Sequence, residues 1–230
     1  MKTLGLIGGM SWESTALYYR LLNEGVRDRL GGLHSAKLAL WSFDFADIAR
    51  RQMAGEWANL SAAVIDAGRR LHLGGAEGLV ICTNTMHKIA DDVEDAVPIP
   101  LIHIADATGR AVRLTASRRP ALLATRFTME EDFYVGRLRN RHDVEPVLPD
   151  QSMQAMIHQI IYDELCRGIV RNESKELYLA IVRALRDDGA DGVILGCTEI
   201  GLLLSQADCD LPVFDSTAIH ATAALDYALS

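Results

Sequence analysis

Gly75-Ala76-Glu77-Gly78-Leu79-Val80 and Gly189-Ala190-Asp191-Gly192-Val193-Ile194 are near copies of each other, placed in the two halves of a 230-residue chain. Each opens on a glycine that stops a helical apolar pattern and then runs into a short apolar stretch with the character of a buried strand. The helices being stopped are read at about Trp57–Leu73 and at Leu177–Leu185. The offset that carries Gly75 onto Gly189 also carries Thr83, at the end of the first strand, onto Cys197, at the end of the second. Pro100-Leu101-Ile102 has a counterpart in Pro212-Val213-Phe214, slightly out of that register. The chain therefore reads as an internal repeat.

Working outward, strands are expected at Leu4–Ile7, Leu38–Phe45, Leu79–Cys82 and Leu101–His103 in the first half, and at Ala121–Ala124, Val193–Leu195 and Val213–Phe214 in the second. Helical spacing starts at Ser11, recurs from Met86 to Val97 and again through Val112, follows the turn after Ala124 through Leu138, covers Ile157–Leu165, and closes the chain to about Leu229. Alternating strands and helices predict parallel βαβ units. The expected fold is α/β, with two similar doubly wound parallel-sheet lobes related by pseudo-two-fold symmetry. Residues 1–103 plus 216–230 form the first lobe and 104–215 the second. Ligands of parallel α/β sheets bind beyond the carboxyl ends of the strands. An interlobe active site is expected, with Thr83 and Cys197 reaching into it from opposite sides.

The composition narrows the function classes. Hydrophobic residues make up 49% of the chain and charged residues 23%, enough for a sizeable core. A net charge of −8 opposes nucleic acid and anionic lipid surfaces, so neither is an expected partner. The amino terminus is too short an apolar run for a signal peptide, and no stretch approaches a spanning helix. The four cysteines, Cys82, Cys166, Cys197 and Cys209, show no paired spacing, which fits reduced thiols in a cytoplasmic protein. His87, His103, His158 and His220 form no metal-like cluster with them. The few lysines lack the phosphate cradle of a pyridoxal enzyme.

Cys197 lies between a strand and a helix expected to begin near Thr198-Glu199. Amide N–H groups at a helix start favour a thiolate, while the Glu199 carboxylate acts against it. Asn84 and Thr85 follow Thr83 at the matching place and suit a carboxylate. Two groups on opposite faces of one α-carbon are what racemisation needs: one takes the proton, and the other returns one from the far side.

Four motifs then carry a resemblance: Gly8-Gly9-Met10-Ser11, Cys82-Thr83-Asn84-Thr85-Met86-His87, Ala124-Thr125-Arg126-Phe127-Thr128 and Gly196-Cys197-Thr198-Glu199. In this order, over almost the whole chain, they resemble the motifs of the aspartate/glutamate racemase family. The resemblance implies two α/β lobes, a small amino-acid substrate, no cofactor, no metal and a homodimer. It implies two opposed catalytic positions, here Thr83 and Cys197, with Met10, Ser11, Gln52, Asn84, Thr85, Thr125, Thr128, Thr198 and Glu199 around the substrate. By analogy with glutamate racemases, Cys197 would act on the L enantiomer.

The sequence departs from the family at one place. The family's first cysteine directly precedes Asn-Thr, where this chain has Thr83, and Cys82 lies one residue early. On a strand such a shift turns the side chain to the other face, so Cys82 reads as a core residue. A threonine hydroxyl is a poor base but can donate or relay a proton. Because the two enantiomers are equally stable, kcat/KM must still be equal in both directions. Arg50, Arg51 and Arg126 are the candidate cations for a side-chain carboxylate, and Ser42 and Asp44 are strand-end candidates. Two other functions stay open: a single-cysteine decarboxylase or lyase of the same superfamily, and a non-catalytic amino-acid-binding protein.

Overall fold

The computed structural model describes residues 1–230. It divides into two compact units, Met1–His103 with His220–Ser230, and Ile104–Ile219. The return to the first unit falls between Ile219 and His220, inside the last helix, rather than at 215/216 as the sequence suggested.

Unit 1 contains β1 (Leu4–Gly8), α1 (Trp12–Leu30), β2 (Leu38–Ser42), α2 (Phe45–Met53), α3 (Trp57–Leu73), β3 (Gly78–Ile81) and α4 (Ala90–Ala96). Its parallel sheet has the order β2-β1-β3, and a single parallel bridge from Leu79 to Leu101 extends it. β1 is the central strand and is buried along its whole length, with Ile7 opposite Ile81 in β3 and Trp41 in β2. One apolar cluster, including Ile7, Leu60, Val64, Leu79 and Ile81, lies on the α3 side. A second, including Leu6, Tyr18, Leu22, Val80 and Leu225, lies on the α1 side. Apolar residues on both faces of a parallel sheet are the mark of double winding.

Unit 2 contains α5 (Ile104–Arg113), β4 (Ala121–Ala124), α6 (Arg126–Glu130), α7 (Val135–His142), α8 (Gln151–Asp163), α9 (Asn172–Asp187), β5 (Val193–Gly196), β6 (Val213–Asp215) and the start of α10 (Ser216–Leu229). Its parallel sheet has the order β4-β5-β6, with a single bridge from Ala121 to Val147 on the other side of β4. Each unit thus has four parallel positions, one of them reduced to a bridge. In unit 1 the reduced position is Leu101, and in unit 2 it is Val147.

Three sequence expectations are corrected. The strand expected over Leu38–Phe45 ends at Ser42, because Asp44 turns to cap α2 and accepts the Ala46 N–H at 3.1 Å. The strand expected at Leu101–His103 is only a bridge, since Pro100 has no N–H to pair and α5 already begins at Ile104. The helix expected through Leu138 is broken at Glu131, whose backbone is extended.

The repeated sextet folds the same way twice. Gly75 and Gly189 both have φ of +93°. Their N–H groups close onto His72 and Arg186, each at 2.9 Å, and the following alanines bond Leu71 and Leu185. The acidic residue next along ties down the start of the first strand of its own unit. Glu77 Oε2 accepts the Thr3 N–H at 2.8 Å, and the Asp191 carboxylate accepts the Arg118 and Arg119 N–H groups. Positive φ strains any residue with a β-carbon. Gly75→Ala and Gly189→Ala are each expected to destabilise the protein by about 1–2 kcal/mol, read by urea unfolding. Unchanged midpoints in both would show that these turns relax freely.

Candidate active site

In unit 1 the site residues sit at the carboxyl ends of neighbouring strands. β1 runs into Gly8-Gly9, where the chain passes so close to the Phe43 backbone that a β-carbon at Gly9 would collide with it. Phe43 N–H bonds Gly8 O at 3.0 Å, and Gly9 N–H bonds Thr15 Oγ1 at 2.9 Å. Met10 and Ser11 follow, both buried, and the Ser11 hydroxyl caps α1 by accepting the Ser14 N–H at 3.3 Å. β3 ends beside β1 and leads into Cys82, Thr83, Asn84 and Thr85, all buried. A 3-10 helix, Thr85–Ile89, follows. Gln52 on α2 is buried as well, and its Nε2 donates to Met86 Sδ at 3.1 Å. The structure thus gathers Met10, Ser11, Gln52, Thr83, Asn84 and Thr85 at one edge of unit 1. Cys82 is fully buried, with Sγ directed at Val80 O, and burial pushes its thiol well above the usual range. It is a core residue.

In unit 2 the arrangement recurs. β4 and β5 pair side by side, Ala124 opposite Gly196, so Thr125 and Cys197 emerge together. Thr125 opens α6, and its hydroxyl lies 3.2 Å from that of Thr128, which is fully buried. Cys197 is 7% exposed. Its Sγ–H donates to Glu199 Oε2 at 3.0 Å, and the Thr198 hydroxyl donates to the same oxygen at 2.5 Å. Glu199 is itself 3% exposed, an acid held in the core by two side-chain donors.

A helix does begin at Thr198 with Cys197 as its N-cap, as expected, but the thiolate stabilisation expected from it is overturned. The segment after it, Thr198–Leu202, is a 3-10 helix of five residues, too short to gather much dipole. Burial comes first, then the Glu199 charge and Cys166, and together they hold the Cys197 thiol well above its ordinary range. The sulfur thus holds its proton and directs it at Glu199 Oε2.

Two tyrosines that no motif singled out interact electrostatically with this thiol. Tyr162 and Tyr178 are both buried enough to raise their phenols strongly, and the Cys197 charge adds to each. Tyr178 donates to Ile157 O at 3.2 Å. His158 packs at a tilt against Tyr162, 4.7 Å between centroids, and accepts the Arg126 N–H through Nδ1 at 3.3 Å. Burial and Arg126 lower its pKa. The candidate cations are already engaged. Arg50 and Arg51 both bind Asp47, at 2.6 and 2.8 Å, and Arg126 lies 3.7 Å from Glu130 with 56% of its side chain exposed. Ser42 and Asp44 are exposed, and Asp44 serves as a helix cap.

Residues 7–224 match the family model described as Asp/Glu/hydantoin racemase. A crystal structure of a candidate Asp/Glu racemase from Yersinia pestis is 50% identical, with all of both chains covered and a TM-score of 0.93. That of an aspartate racemase homologue from Pyrococcus horikoshii OT3 is 32% identical, again over all of both chains, with a TM-score of 0.86. The broad specificity amino-acid racemase RacX of Bacillus subtilis is 23% identical over 162 residues, covering 69% of this chain and 68% of that protein.

A protonated Cys197 has a direct consequence. The ultraviolet thiolate signal of the parent minus that of Cys197→Ser is expected to stay flat through neutral pH and to rise only above the ordinary thiol pKa of about 8.5. A difference titration centred below that value would mean that backbone N–H groups outweigh burial and Glu199.

Proposed function

Because the chain belongs to the Asp/Glu/hydantoin racemase family, we propose that it inverts aspartate, glutamate or both at the α-carbon without a cofactor, with Cys197 acting on the L enantiomer and Thr83 on the opposite face. The observation that carries this reading is the Cys197–Glu199 hydrogen bond at the buried end of β5. A thiol already donating to a carboxylate can lose its proton to it as substrate arrives. No free thiolate then has to be maintained in a buried place.

The steps balance as follows. Glu199 takes the Cys197 proton, and the sulfur takes the α-hydrogen of the L-amino acid. The carbanion is stabilised through its carboxylate, for which Asn84, Thr85 and Thr125 supply donors, while the Thr198 hydroxyl holds Glu199 in place. Thr83 gives its hydroxyl proton to the far face of the carbon and is replenished from solvent, while Glu199 returns its proton to solvent. Cys197 ends the cycle protonated by the former α-hydrogen, which the thiol exchanges with solvent. Met10, Ser11, Gln52 and Thr128 complete the proposed lining. The threonine is the weaker member, because a hydroxyl neither ionises readily nor donates as well as a thiol.

The decisive measurement is proton NMR of each pure enantiomer in D₂O, run beside chiral chromatography. Cys197→Ser is expected to abolish α-proton exchange from the L enantiomer. Thr83→Ala should keep part of that exchange and lose inversion, and Thr83→Cys should raise exchange from the D enantiomer. Loss of activity in Cys82→Ala with full activity in Cys197→Ser would overturn the assignment. Release of carbon dioxide without exchange would make the chain a lyase, and binding without exchange a sensor.

Glu199→Gln separates two roles for the carboxylate. Removing its charge makes Cys197 easier to ionise, so alkylation of the thiol should speed up. If Glu199 is the proton acceptor, racemisation should nevertheless fall by about 10²–10⁴-fold. Faster alkylation together with faster racemisation would show that Glu199 only suppresses the thiolate.

A further inference from the structure

Four rings are buried together in unit 1, and the proton transfers above use none of them. They are Tyr18, His87, His103 and His220, none more than 4% exposed. His220 is held at both nitrogens: Nε2 lies 2.6 Å from Ile102 O, and Nδ1 lies 2.8 Å from the Tyr18 hydroxyl. A carbonyl only accepts, so Nε2 carries the hydrogen, and in the neutral ring Nδ1 accepts from the tyrosine. His87 packs edge-on against His103 at 4.6 Å and against His220 at 5.5 Å. Its own Nδ1 lies 2.8 Å from the carbonyl oxygen of Thr83, and by the same logic Nδ1 is the donor.

That bond completes a clamp on one residue. The Thr83 N–H donates to Ile81 O at 2.9 Å, and its C=O accepts from His87. With its N–H and its C=O both engaged, the Thr83 backbone is held from two sides, on the carbonyl side by the His87 ring. The ring cannot turn without displacing His103 and His220. No histidine core residue is required here by the fold as such. In the register of the sequence repeat His87 falls on Gly201, and neither Gly201 nor its neighbour Ile200 has a side-chain donor. On that side the Cys197 carbonyl is bonded only by the Ile200 N–H, at 3.2 Å.

We propose that His87 is a positioning residue for the racemisation, bracing the Thr83 carbonyl so that the threonine hydroxyl is aimed at the α-carbon. The proposal rests on the racemase reading. It explains an asymmetry: a sulfur is large and polarisable and tolerates a loose approach, whereas a hydroxyl donates over a narrow range of distance and angle. The side with the weaker donor is the side with the brace.

The test compares His87→Leu, His87→Asn and His87→Gln, reading exchange from the L enantiomer in D₂O and inversion by chiral chromatography. An asparagine amide reaches roughly where Nδ1 stands, while a glutamine amide reaches towards Nε2. His87→Leu is expected to keep Cys197-dependent exchange and to lose about tenfold or more in inversion, the size of one lost hydrogen bond. His87→Asn should recover most of the inversion and His87→Gln should not. If His87→Leu does not fold, the Asn-to-Gln contrast carries the test alone. Adding His87→Asn and His87→Gln to Thr83→Ala should change nothing further, since the brace then has no hydroxyl to aim. Equal losses of exchange and inversion, or equal inversion by the Asn and Gln variants, would reduce His87 to packing and leave the racemase reading standing. A parent protein that neither exchanges nor inverts any acidic amino acid would remove both.

Discussion

Parallel pairing of two buried strands at the centre of each sheet is the constraint on which both clusters of site residues depend. β1 with β3, and β4 with β5, run in the same direction, so in each unit two carboxyl ends finish side by side. The backbone leaves the sheet there with side chains that no further strand covers. Gly9 matters because the exit of β1 must pass against the Phe43 backbone without a β-carbon. Small polar residues, Thr83 to Thr85 on one unit and Thr125, Thr128 and Thr198 on the other, then occupy buried positions at these ends.

The electrostatics of Cys197 follow from the same placement. A strand end as buried as that of Cys197 offers little solvent to a thiolate, and the adjacent glutamate adds charge of the wrong sign. On the proposed reading the site stores no reactive anion. It can work by moving two protons in sequence along a line from carbon to sulfur to oxygen, where low dielectric strengthens each short hydrogen bond. The clamp on Thr83 belongs to the same logic. Where chemical reactivity is modest, geometry has to be fixed more tightly, and rigid aromatic rings fix it at small entropic cost.

The amino-acid sequence made the strand ends legible because glycine turns leave a local mark. The recurrence of Gly-Ala-acid-Gly located β3 and β5 and drew attention to Thr83 and Cys197 through register alone. Cys82 was legible as core from the alternation of a strand. What was not legible depends on distant contacts. How deeply the thiol after β5 is buried is decided by packing, and burial together with the Glu199 charge reversed the expected direction of its shift. Tyr162 and Tyr178 come from α8 and α9, with no spacing to link them to Cys197. The arginines looked available only because their carboxylate partners, Asp47 and Glu130, carry no motif.

The last helix begins in one unit and ends in the other, with the division at Ile219/His220. This bears on the order in which the protein matures as it is made. Unit 2 is contiguous in the chain and has all its residues once Ile219 has been synthesised. Unit 1 has its sheet much earlier but lacks His220, the ring that joins Tyr18 to the Ile102 carbonyl. The core of unit 1 on the α1 side is therefore closed by the last residues of the chain, which bring His220 together with Ala221, Ala224, Leu225 and Ala228.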